Sequence, residues 1–184
     1  MESPVGHMPA WIVRPDREAG SLPGLADTWA ILVHGHGGTR GESLRAIPLL
    51  HRLGLTCMAI TYRNDAGAPP PPRTACITWG AEEWEDTEAA VEHAIAAGAR
   101  RIVLVGWSMG GGIVLRTSVR SRHRDRIAAL VLDSPPAVDW QDILIYHATS
   151  LKAPAPPMRR LALWMMTSPV GGEDGEAARA ARPA

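Results

Sequence analysis

Apolar residues along this chain gather into short, nearly unbroken runs, and between the runs they fall at helical spacing. The runs occupy residues 10–13, 29–33, 56–62, 102–105 and 128–132. They are rich in β-branched and aliphatic side chains, the pattern of strands covered on both faces. Residues 81–97 place Trp84, Val91 and Ile95 on one stripe, with Gly98 following as a C-cap. Glu82, Glu83, Glu85 and Asp86 fill the first turns, where the helix dipole favours negative charge. Residues 42–53, stopped by Gly54, and residues 109–121 predict two more helices. Strands alternating with helices predict βαβ units, and so an α/β fold with a mainly parallel sheet flanked by helices.

The pattern changes in three places. Pro69-Pro70-Pro71-Pro72 cannot continue a strand and marks a loop over residues 64–73. Residues 139–168 carry an irregular helical pattern, with Trp140, Trp164, Met165 and Met166 among apolar neighbours. They predict a helical cap or lid segment beside a core of residues 1–138. Residues 169–184 are small, polar and Ala-rich with no bulky apolar anchor, and predict a poorly ordered tail.

Charge narrows the partners. Among 184 residues, Lys+Arg and Asp+Glu both number 19, so no net field draws the chain to nucleic acid or an anionic membrane. No apolar run approaches the roughly 20 residues that span a bilayer. Met1-Glu2-Ser3-Pro4 has neither the basic start nor the apolar stretch of a secretory signal. Cys57 and Cys76 are too few for a disulfide framework or a metal knuckle, and a reducing cytoplasm is the expected compartment.

The chemistry concentrates in two glycine-rich turns. Gly106-Trp107-Ser108-Met109-Gly110 leaves the fourth run directly and opens the helix at 109. G-x-S-x-G between a buried strand and a helix predicts a sharp, strained turn that lifts the serine Oγ to the carboxyl end of the sheet, beside a helix N-terminus. The alternatives are a plain glycine-rich βα turn or a phosphate loop. Gly110-Gly111-Gly112 fits either, yet neither G-x-x-x-x-G-K-[ST] nor G-x-G-x-x-G occurs at this turn. The second turn, His34-Gly35-His36-Gly37-Gly38, follows the second run and can aim a backbone N–H at a reacting oxygen. His34-x-His36 also has the form of a metal pair, but no Asp, Glu or Cys ligand pattern accompanies it. The role predicted for His34 is structural, its ring bonded to loop backbone.

Together these turns resemble those of the α/β-hydrolase superfamily, specifically bacterial serine hydrolases of the monoacylglycerol-lipase and prolyl-oligopeptidase-like groups. Thr61-Tyr62-Arg63-Asn64-Asp65, Glu83-Trp84-Glu85-Asp86 and Val131-Leu132-Asp133-Ser134-Pro135 match as well, so the resemblance covers roughly residues 10–168. It implies that Ser108 is a nucleophile and that the Met109 and His36 N–H groups form the oxyanion hole. No metal and no cofactor are expected. The implied substrate is a small acyl ester or similar hydrophobic molecule, with an amide less favoured.

The same resemblance implies a triad ordered Ser, Asp or Glu, then His. After Ser108 the chain has only His123, in the charged run 120–124, and His147, in the cap segment. Asp133 is a candidate triad acid, but capping or hydrogen bonding in the Asp-Ser-Pro turn is its expected role. The fold is therefore expected to be incomplete at the C-terminus, through truncation or a shifted frame near Pro169-Val170. A similar slip is expected at 73–79, whose codons in a neighbouring frame can give Ser-Asp-Gly-Met-Tyr-His-Leu, so no function is attached to Cys76 or Trp79. The competing functions are an active esterase, a catalytically silent fragment or binding module, and an enzyme whose histidine comes from a partner chain. The sequence does not specify an oligomeric state.

Overall fold

All five apolar runs form strands of one sheet in the computed structural model, which describes residues 1–15, 22, 24–69 and 77–135. A short antiparallel pair, β1 (Glu2–Ser3) and β2 (Gly6–His7), precedes them. The sheet contains β3 (Ala10–Val13), β4 (Thr28–Val33), β5 (Thr56–Ile60), β6 (Arg101–Trp107) and β7 (Ile127–Asp133), in the spatial order β3-β5-β4-β6-β7. β3 runs antiparallel to β5, and every other pairing is parallel. These elements lie within the unit Met1–Pro136.

Strand β4 shows why the runs lack a two-residue period. Trp29, Ile31 and Val33 pack with Val91 and Ala94 of α2 (Trp84–Ala96) and with Ile113 of α3 (Met109–Arg120). Ala30 and Leu32 point the other way, into a cluster with Ile47 of α1 (Ile47–Arg52), Val105 and Trp107. All six residues of β4 are buried, because helices cover both faces of the sheet. Each fully buried aliphatic side chain contributes about 1.5–3 kcal/mol, so the paired clusters are the main source of stability.

The structure corrects several boundaries. The helix predicted at 42–53 is two pieces, a 3-10 turn over Arg40–Arg45 and then α1. Pro48 lies in the first turn of α1, where its missing N–H costs nothing; farther inside a continuous helix it would remove a bond. The helix predicted from 81 begins at Trp84. Glu83 does not sit over the dipole but turns its carboxylate back, accepting from the Thr78 N–H (2.6 Å), the Thr78 hydroxyl (2.6 Å) and the Gly80 N–H (2.7 Å). Asp86 is also diverted, holding the Arg63 backbone N–H and Nε at 2.8 and 2.9 Å. Strand β7 is less covered than a fully apolar run implies: Leu130 is 36% and Val131 50% exposed. Among the described residues it pairs on one side only, with β6. The cap and tail over 139–184, His147 and Cys76 lie outside the described residues.

Candidate active site

Strands β4 and β6 are neighbours, in register from Thr28↔Arg101 to Val33↔Gly106, so the loops leaving their carboxyl ends lie side by side. After β6 the chain enters α3 through one residue, Ser108, at φ 47° and ψ −121°. Side chains rarely adopt this conformation, and holding one there costs about 1–3 kcal/mol. The turn closes only because strand and helix touch backbone to backbone. A Cβ on Gly106 would strike the Gly110 carbonyl and lie 2.7 Å from the Gly111 Cα; one on Gly110 would strike the Val33 carbonyl. The Ser108 N–H donates to the Asp133 carbonyl of β7 at 2.8 Å, and the Ser108 carbonyl accepts from the Gly111 N–H at 2.8 Å. Ser108 is exposed between buried Trp107 and Met109, at the first turn of a 12-residue helix.

The turn over 34–38 presses against this serine. A Cβ on Gly35 would stand 3.2 Å from both the Ser108 Cβ and the Trp107 carbonyl oxygen. His34 braces the turn from below, as its predicted structural role requires. Its Nδ1 meets the Gly35 carbonyl at 2.9 Å and its Nε2 meets Asp65 Oδ2 at 2.8 Å. The ring stacks on Tyr62 at 4.5 Å, and the Tyr62 hydroxyl donates to the Gly35 carbonyl at 3.1 Å. Both ring nitrogens face acceptors, which suits the imidazolium. Burial alone would lower the His34 pKa, but the Asp65 hydrogen bond, with the Gly35 carbonyl, outweighs it and raises the pKa above 6.5. Both His34 nitrogens are thus engaged, one by the turn's own backbone and one by Asp65. The Gly35 N–H is also engaged, donating to Glu42 Oε2 at 2.8 Å. Among the described residues, the His36 and Met109 N–H groups have no hydrogen-bond partner.

Three residues of this arrangement escaped the sequence reading: Asp65, Tyr62 and Glu42. Tyr62 and Asp65 belong to a stretch that matched the family, which was the available signal for them.

The remaining polar candidates are engaged with other groups. Asp133 accepts from the Ser134 hydroxyl at 3.0 Å and lies 3.7 Å from Arg45 Nη2, so it bonds within its own Asp-Ser-Pro turn as expected. His123 follows the C-terminal end of α3, about 18 Å along the helix axis from Ser108. There it faces Glu88 and Glu92, which Arg122 bridges at 3.7 and 3.4 Å. His51 and His93 occupy the last turns of α1 and α2, which lead into the starts of β5 and β6, and His7 pairs with Glu2 at 2.7 Å. Among the described residues no histidine or carboxylate hydrogen bonds to the Ser108 hydroxyl. No helix among them is long and apolar enough to cross a membrane.

Comparison with known proteins adds the family. Over 128 residues the chain is 29% identical to the quorum-quenching protein AidA of Acinetobacter baumannii, covering 68% of this chain and 39% of that protein. A lidless serine hydrolase of Xanthomonas campestris superposes with TM-score 0.63 at 22% identity, over 76% of this chain and 61% of that one. A serine hydrolase homologue from Coxiella burnetii gives 0.60 at 24%, over 74% and 61%. A Pyrococcus furiosus esterase gives 0.62 at 19%, over 88% and 56%. The chain thus spans only part of each of these proteins, and the structural likenesses show the fold. The model of the alpha/beta hydrolase family matches residues 30–184, and on that span the chain belongs to the alpha/beta hydrolase family.

Proposed function

We propose that this chain is a serine hydrolase that cleaves an ester bond through an acyl-Ser108 intermediate. The observation that carries the reading is Ser108 itself, exposed at φ 47° on the first turn of α3 and flanked by the 34–38 turn. In this reading the Ser108 Oγ attacks the acyl carbonyl carbon, and the carbonyl electron pair moves onto oxygen. The Met109 and His36 N–H groups hold that oxyanion, with the N-terminal end of the α3 dipole behind it. Each such donor contributes about 10²–10³ in rate. Collapse of the intermediate expels the alkoxide, which takes up the proton lost by Ser108. Water then repeats the attack on the acyl-serine, releasing the acid and restoring the hydroxyl. Trp140, Trp164, Met165 and Met166 of the 139–168 segment support an acyl or other hydrophobic substrate.

One observation favours a second reading. A serine needs a base to surrender its proton, and losing that base costs on the order of 10⁶ in turnover. With no base bonded to Ser108 among the described residues, the alternative is a hydrolase fold that binds acyl ligands without turning them over. A fluorophosphonate probe and a nitrophenyl ester separate the two. Labelling and hydrolysis that vanish in Ser108→Ala support the enzyme; no labelling of the unmodified chain supports the silent fold.

A further inference from the structure

Trp79 occupies a backbone conformation that suits it poorly. Its φ is 54° and that of the next residue, Gly80, is 92°. The Ala81 N–H closes the turn onto the Thr78 carbonyl at 3.1 Å. Turns with both central residues at positive φ favour Asn, Asp or Gly at the first of them, and a bulky aromatic there is an outlier. Such strain persists only where the surroundings over-determine it. Here Glu83 does so. Its fully buried carboxylate takes three donors from this one turn, the Thr78 N–H, the Thr78 hydroxyl and the Gly80 N–H, all within 2.7 Å. Beneath, Gly80 rests against Ile113 of α3, and Trp79 packs on the main core cluster.

The clamped turn delivers the indole to one place. The Trp79 ring meets the His36 ring, centroids 5.4 Å apart and planes tilted by 35°. His36 is exposed on the 34–38 turn, and this ring contact is a side-chain anchor for that turn. We propose that Trp79 is a positioning residue for the His36 N–H, held at its strained φ by Glu83 so that its ring fixes the outer half of the 34–38 turn. The proposal rests on the reading of that N–H as an oxyanion donor. A misplacement of about 1 Å at such a donor lowers turnover by up to about 10² while leaving ground-state binding nearly intact.

Trp79→Gly is the informative variant, because glycine accepts φ 54° freely and only the ring is lost; Trp79→Phe keeps a ring at the same place. Two measurements are made on the full chain, amide hydrogen exchange resolved at Gly38, whose N–H closes the turn onto the Gly35 carbonyl at 3.0 Å, and kcat and KM for a short-chain nitrophenyl ester. Trp79→Gly should speed exchange at Gly38 by about tenfold or more while β4 and β6 keep their protection. It should lower kcat by about 10- to 100-fold with KM changed by less than about threefold. Trp79→Phe should recover most of both. Unchanged exchange at Gly38 in Trp79→Gly overturns the proposal, as does a loss of protection that spreads equally through the sheet. If the unmodified chain neither hydrolyses the ester nor labels at Ser108, the reading of Ser108 falls, and the exchange at Gly38 still decides whether Trp79 holds the turn.

Discussion

Replacing Gly110 by alanine should cost stability and turnover together, for one geometric reason. In the observed backbone the new Cβ would overlap the Val33 carbonyl oxygen, and would stand 2.5 Å from the His34 oxygen and 2.8 Å from the Val33 carbonyl carbon. Carbon atoms pack comfortably at about 3.5–4.0 Å, so α3 has to retreat from β4 by about 1 Å. All three obstacles are backbone, and no flexible side chain can yield in their place. Overpacking of this kind costs about 1–3 kcal/mol. Three backbone obstacles this close put the cost at about 2–3 kcal/mol; alanine returns up to about 1 kcal/mol of helix propensity, leaving a net loss of about 1–3 kcal/mol. In a chain of this length that lowers the melting temperature by about 2–12 °C. The retreat also drags Ser108, two residues away, out of line with the 34–38 turn, and a shift of that size reduces the rate of serine labelling by up to about 10². Thermal melts by circular dichroism and second-order fluorophosphonate labelling measure the two effects. Val119→Ala, on the exposed side of the same helix, is the control and should change stability by less than about 0.5 kcal/mol. A Gly110→Ala chain that melts and labels like the unmodified one would refute the claim that strand and helix touch at this point.

Other predictions concern the groups that hold the site. Asp86→Ala should destabilise by about 3–5 kcal/mol in urea unfolding, because it strands the buried Arg63 guanidinium on the more exposed Glu82 and Glu85; a loss below about 1 kcal/mol contradicts this. Burial raises the Cys57 thiol to a pKa of about 11, so iodoacetamide at pH 8 should leave Cys57 unmodified in the folded chain and alkylate it in urea, as located by peptide mass spectrometry. The His34 pKa is raised above its unfolded value of 6.5, so its contribution to stability is full below that pH and is lost as pH rises through the folded value. The urea midpoint should fall as pH rises from 6.5 through the folded value, and Asp65→Asn should flatten the fall.

What the sequence disclosed divides by range along the chain. The strands were legible because each run is apolar on both faces, and Ser108 because strand, glycines and helix lie within a few consecutive residues. The partners of His34 were not, since Tyr62 and Asp65 lie 28 and 31 positions away and meet it only because β4 and β5 are neighbours. Glu83 was hidden for a different reason. In composition it matches Glu82 and Glu85, and only the backward turn at 78–80 decides that it serves the loop instead of the helix dipole. Trp79, set aside as a product of a slipped frame, holds a clamped conformation beside the site. The break at Pro48 was a local signal that the helical reading of 42–53 passed over.

Charge around Ser108 ties these fragments into one arrangement. An oxyanion near this serine would form close to two carboxylates, since Glu42 is bonded to the Gly35 N–H and Asp133 ends the strand that receives the Ser108 N–H. Left alone, both would oppose a developing negative charge. Arg45 lies between them, 3.3 Å from Glu42 Oε1 and 3.7 Å from Asp133 Oδ2, with its guanidinium over the Trp107 ring at 4.9 Å. A planar cation stacked on an aromatic face keeps its position with little entropy left to lose. His34 Nε2 meets Asp65 Oδ2 at 2.8 Å, and that contact offsets the carboxylate when the ring is protonated. The carboxylates beside the 34–38 turn are thus paired with Arg45 and His34. Under the proposed reading, that pairing lessens the negative field where the α3 dipole and the His36 and Met109 N–H groups would meet an anion.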